Sequence, residues 1–159
     1  MKPVVTLKIC GVLVSGLLAT GCALSQTATP SGAPLARQLT QSAHCGLTAP
    51  GQLHLKSRSQ VEQLAGLPQA TLSLAPLQAI DYDREHVVVV ALGQKPTGGY
   101  SVTLAGSRIS RGHLELAVDV REPAPGAMVT QALTTPCAAI AVTATGWEGL
   151  RITRPENKR

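Results

Sequence analysis

The run VVVVAL, Val87–Leu92, admits few folds. It is apolar at every position and rich in β-branched residues, so neither face of such a strand suits water; a central strand covered on both sides is expected. A second apolar run spans Cys137–Thr143. Elsewhere apolar and polar residues alternate. Tyr100, Val102 and Leu104 are separated by Ser101 and Thr103, and Leu114, Leu116, Val118 and Val120 by Glu115, Ala117 and Asp119. Both read as strands with one buried side. Leu53–Lys56 reads as a short strand, and Leu150–Thr153 as another after a turn at Gly146–Gly149. Ser59 and Glu62 have capping-box spacing, which predicts a short helix near Gln60–Ala65 with Val61, Leu64 and Ala65 on one side. Pro68 and Pro76 then exclude a long helix. The expected class is mainly β: an antiparallel β-sandwich-like domain with one short helix. With aromatic residues at 2% and no Phe, its core must be built from aliphatic side chains.

The N-terminus has a different character. Lys2 and Lys8 precede an apolar stretch from Ile9 to Leu18, and the small residues Ala19, Thr20 and Gly21 follow. This is the order of a secretory signal, and the stretch is about half the roughly 20 residues a membrane-spanning helix needs. Leu18-Ala19-Thr20-Gly21-Cys22 resembles the bacterial lipoprotein signal box, with Ala19 where Leu is usual. The resemblance implies cleavage before Cys22 and its acylation, including palmitate, with the chain held at a membrane through that residue. Ala23 at the next position implies sorting to the outer membrane, facing the periplasm. Residues 1–21 are thus expected to be a signal peptide. Residues 22–37, small, polar and Pro/Gly-containing, are expected to be a flexible tether with a reach of roughly 20 Å. A β domain is expected over 38–156.

Export brings the cysteines into an oxidising compartment. Cys10 would leave with the signal and Cys22 would carry lipid, so Cys45 and Cys137 remain and one disulfide between them is expected, the alternative being two buried free thiols. Signal removal also takes Lys2 and Lys8, reducing the formal charge from +5 to +3. That is an ordinary solvated surface. Without a basic face or aromatic platforms, nucleic-acid binding is excluded.

The segment Gly93–Gly99 crowds a Pro and glycines between strands. Pro96 fixes its own φ and biases Lys95 to an extended conformation, and Gly98 or Gly99 can supply a positive φ for a type II turn. Lacking side chains, these glycines are expected to leave their N–H groups open to a partner; the alternative is a hairpin connection in which they serve geometry alone. A phosphate loop is excluded, because Gly99-Tyr100 stands where Lys and Ser or Thr are needed. Glu122–Pro136, with Pro123, Pro125, Gly126 and Pro136, is expected to leave the sheet and either widen one binding edge or simply cross between sheets. Trp147 sits in a Gly-flanked turn as a core lid or an interface anchor.

Catalytic and metal chemistry find no constellation. His44 adjoins Cys45 with no orienting third group, and Asp81, Asp83 and Glu85 lack the remainder of a calcium loop. His54, His86 and His113 have no metal-ligand spacing. No catalytic residue, metal site or cofactor is expected.

The run VVVVALGQKPTGGYSVTL, followed by LELAVDVREPAPGAMVTQALTTPCAAIAV, resembles the PrcB C-terminal domain family, known from a lipoprotein subunit of a bacterial surface protease complex. The likeness covers about Asp81–Thr143. It implies a protein-binding accessory that stabilises or regulates a protease, with Lys95, Pro96, Thr97, Gly98, Gly99, Tyr100, Pro125 and Gly126 at the contact. A weaker likeness of Lys95-Pro96-Thr97-Gly98-Gly99 is to the loop of chagasin-type cysteine-protease inhibitors. That loop begins with Asn, and the family's later Arg-Pro-aromatic motif is met here only by Arg154-Pro155-Glu156. A structural envelope lipoprotein without a protease partner is the remaining alternative.

Overall fold

Val87–Leu92 lies at the centre of a sheet with both faces covered. The computed structural model describes residues 34–154. In chain order these form β1 (Ala36–Ser42), β2 (Pro50–Leu55), α1 (Arg58–Leu64), α2 (Ala75–Gln78), β3 (Glu85–Leu92), β4 (Ser101–Ser110), β5 (His113–Arg121), β6 (Cys137–Thr143) and β7 (Gly149–Thr153). One sheet has the order β1-β6-β3-β2 and the other β4-β5-β7.

The two apolar runs became β3 and β6, which pair antiparallel in the middle of the larger sheet. On one face Val88, Val90, Leu92, Ala138, Ile140 and Val142 meet Val102, Leu114, Leu116 and Val118 of the smaller sheet. On the other, Val87, Val89, Ala91, Cys137 and Ala139 pack against Val61 and Leu64 of α1 and Leu77 of α2. Each run therefore faces a core on both sides, which explains the missing alternation. A disulfide joins Cys45 to Cys137 within the second of these cores; both are buried, with Cα atoms 6.1 Å apart.

Several local expectations change. The smaller sheet is not wholly antiparallel, because β5 and β7 run parallel. Between them the chain crosses to the other sheet as β6 and returns, so its direction reverses twice. α1 begins earlier than the Ser59 reading requires: Ser57 is the cap, accepting from Gln60 N–H (3.4 Å), while Gln60 Oε1 accepts from Lys56 N–H (2.6 Å). The capping pair is therefore Ser57-x-x-Gln60, two residues earlier, with Gln60 reaching the N–H of the residue before the cap. Pro76 opens α2, a single turn, where its missing N–H costs nothing. β4 extends to Ser110 past a bulge at Leu104/Gly106 that breaks the alternation. A two-residue turn at Arg111 and Gly112, both at positive φ, leads into β5.

The signal peptide 1–21, Cys22, most of the tether, Pro155 and Glu156 lie outside the described residues. Ala36 and Arg37, assigned from sequence to the tether, pair with Val142 and Ala141 at the start of β1. A register shift between Gln38 and Thr40 hides the period of that strand.

The sandwich is closed on one side, where the Leu104 N–H of β4 donates to Gln38 Oε1 of β1 (2.8 Å). On the other side the edge strands β2 and β7 leave a groove. One end of that side is filled by Trp147, which packs on the inter-sheet core, lies 5.5 Å from the His54 ring and donates from Nε1 to the Thr143 carbonyl (2.8 Å). Trp147 is thus a core lid.

His54 Nε2 and His86 Nδ1 are 3.1 Å apart, so one imidazole must be a neutral acceptor. Burial, then the charges of His86 and Lys56, lower the pKa of His54; burial, then Lys56, lowers that of His86. Near the ordinary histidine value the unfolded chain therefore binds more protons than the folded one. The pair's contribution to stability is complete above about pH 6.5 and is lost as pH falls through the depressed folded values. Thermal melts should show Tm falling from neutral to mildly acid pH, with a shallower fall in a His54→Gln/His86→Gln variant. An unchanged pH profile in that variant would remove the pair from the account.

Candidate partner-docking site

β3 ends at Leu92, whose N–H donates to the Pro136 carbonyl (2.9 Å). Gly93 then takes φ +73°, so close to Pro50 that a Cβ would lie 2.8 Å from its nitrogen; only glycine suits this turn. Gln94 N–H donates to the Thr48 carbonyl (2.9 Å). From here the first loop, residues 93–100, is held by the second, residues 122–136. Lys95 and Thr134 exchange backbone hydrogen bonds of 2.8 and 3.0 Å. Thr134 is buried, and its Oγ1 donates to the Thr97 carbonyl (2.8 Å).

The glycines also serve this union. Gly98 N–H donates to the Thr130 carbonyl (2.9 Å), so the expectation that its amide is open to a partner is corrected. A chain crossing next to it supplies the acceptor internally. Gly99, exposed at φ +88°, lets Val129 and Pro123 approach; a Cβ there would meet them at 3.0 and 3.2 Å. Lys95 Nζ lies 5.3 Å from the Tyr100 ring centroid, within cation–π range. Lys95, Pro96, Thr97, Gly98, Gly99 and Tyr100 thus form one surface ledge backed by Thr130–Thr134.

Pro125 and Gly126 stand apart from those contacts. They are the central residues of a turn closed by Ala127 N–H to the Ala124 carbonyl (3.0 Å), with Gly126 at φ +77°, the type II pattern. A Cβ on Gly126 would meet nothing within 4 Å. The turn tip projects instead of joining the ledge.

Sequence reasoning missed the side chains that the second loop presents. Met128 is fully exposed and Leu133 is 63% exposed, well above the 38% of Leu53 and Ile109, the other large exposed apolar residues among the described residues. Their signal was present: two large apolar residues in a Pro-, Gly- and Thr-rich segment without period have no core face to occupy.

The residues singled out for chemistry have structural roles. Cys45 is in the disulfide, and Glu85 pairs with Arg37 (2.7 Å). Asp81 Oδ1 accepts from Asp83 N–H (3.1 Å), closing a turn before β3. Among the described residues no group of three or more His, Cys, Asp or Glu side chains could hold a metal ion.

The fold and site define a class: a disulfide-braced β domain of two packed sheets whose most exposed apolar side chains sit on one hydrogen-bonded loop pair. Residues 86–143 match the family described as PrcB C-terminal. The match covers less than half of the chain, running from β3 to β6 and including both loops and Cys137; Cys45, β1, β2, the helices and β7 lie outside it. No curated protein and no solved structure matches the chain.

Proposed function

We propose that this chain is a lipid-anchored accessory subunit of the bacterial cell envelope that docks on a protease through the paired loops and stabilises or regulates it. Cys22 would hold it at the outer membrane, facing the periplasm, and residues beyond it would give the domain reach. The observation carrying the docking reading is the exposure of Met128 and Leu133 on a loop fixed to Lys95–Gly98 by hydrogen bonds. Exposed apolar side chains on a braced support can be buried by a partner with little ordering cost. The contact is therefore side-chain burial beside the Pro96–Tyr100 ledge, rather than capture of the Gly98 amide.

Affinity capture of the tagged full chain from membranes, followed by mass spectrometry and a protease assay, tests this reading. The expected result is a co-purifying protease whose activity is maintained or raised by the subunit. Recovery of envelope structural components alone would sink it, and inhibition of a papain-like enzyme would replace it with the inhibitor reading.

A further inference from the structure

β2 is the last strand of its sheet, and among the described residues no strand pairs with its outer side. It has a groove on each face. The groove between the sheets, about 260 Å3, is lined by Val90, Leu92, Val118, Val120, Ile152 and Arg154 beside Pro50–Gln52. On the opposite face, a groove of about 320 Å3 runs along Leu47, Thr48, Leu53 and Ala91. A strand laid beside β2 would hydrogen-bond to its free backbone edge and send successive side chains alternately into the two grooves.

Charge selects among the possible occupants. Arg154 lines the inter-sheet groove, Lys56 directly follows β2, and neither groove contains an acidic residue. A second copy pairing antiparallel through β2 would set Arg154 against Lys56 of that copy, and a parallel pairing would set Arg154 against Arg154. Both place like charges together, a device that protects edge strands from self-association. An acidic strand meets no such barrier.

We propose that the outer edge of β2 accepts an extended, mainly apolar segment of a partner protein as an added strand, with one carboxylate placed to meet Arg154. Neither Met128 nor Leu133 lines either groove, so the inference stands independently of the docking reading above.

The test uses the full chain purified in detergent and a blocked extended peptide of Val and Thr carrying a single Glu, followed by fluorescence anisotropy and hydrogen exchange. Saturable binding with slowed exchange in β2 is expected. N-methylation of one alternate set of peptide amides should abolish binding and of the other set be tolerated, because only one set faces β2. Arg154→Glu should weaken binding by about tenfold and favour the Lys-containing counterpart. The proposal is overturned by absence of binding, by indifference to which amides are methylated, or by protection confined elsewhere. It is equally overturned by a concentration-dependent dimer that protects β2 without peptide.

Discussion

Replacing Cys45 and Cys137 with alanine lowers the unfolding free energy by about 4 kcal/mol. The bridge ties the segment after β1 to the first residue of β6 across a sequence separation of 92, so its loss frees a large loop in the unfolded chain. Loop-closure entropy grows only slowly with length, but at this span it is already a large share of the roughly 5–15 kcal/mol that holds an ordinary domain together. A packing effect acts in the same direction. Cys45 borders a small apolar cavity with Leu47, Leu64, Leu72, Leu74 and Val89, and removing sulfur enlarges it. Guanidinium unfolding of the double variant against the oxidised protein measures the difference. A loss below about 0.5 kcal/mol, within the range of ordinary surface changes, would show that the bridge does not support the fold.

The second large effect concerns binding. Met128→Asp combined with Leu133→Asp should weaken partner capture by roughly a hundredfold, on the order of 3 kcal/mol, while leaving the Tm close to that of the unaltered protein. Both side chains already face water in the free domain, so the substitutions remove no core contact. They place charge where a partner must exclude solvent. Gly98→Val and Gly99→Val are poorer probes of the same face: a Cβ at Gly98 would press on Thr130 at 3.4 Å, and Gly99 has φ +88°. Those variants would disturb the loop pair itself, and lost capture would confound binding with local folding.

The fold's framework was legible because the two-sided burial of β3 and β6 is written directly as unbroken apolar sequence. β5 was legible through alternation of Leu114, Leu116 and Val118. β1 was not, because its register shift interrupts any period, and the far half of β4 was hidden by a bulge and an Arg-Gly turn. The parallel pairing of β5 with β7 follows from a crossover through the other sheet, which no local pattern encodes.

The candidate site was half legible. Pro96, Gly98 and Gly99 marked a loop of special geometry, but their sequence could not reveal that the chain at Thr130–Thr134 would lie against them. Acceptors for amides in such loops come from residues distant in sequence. Exposure of Met128 and Leu133 likewise depends on how the second loop is pinned at Thr134, since the same residues could cover a core in another crossover.

Site-specific photocrosslinking most directly tests whether the loop pair is the docking face. With a photoreactive residue at Met128 in the membrane-bound full chain, the account predicts a cross-link to a protease. The same residue at Ile109, near the β4–β5 turn, should give none. Cross-linking from Ile109 but not from Met128 would contradict it.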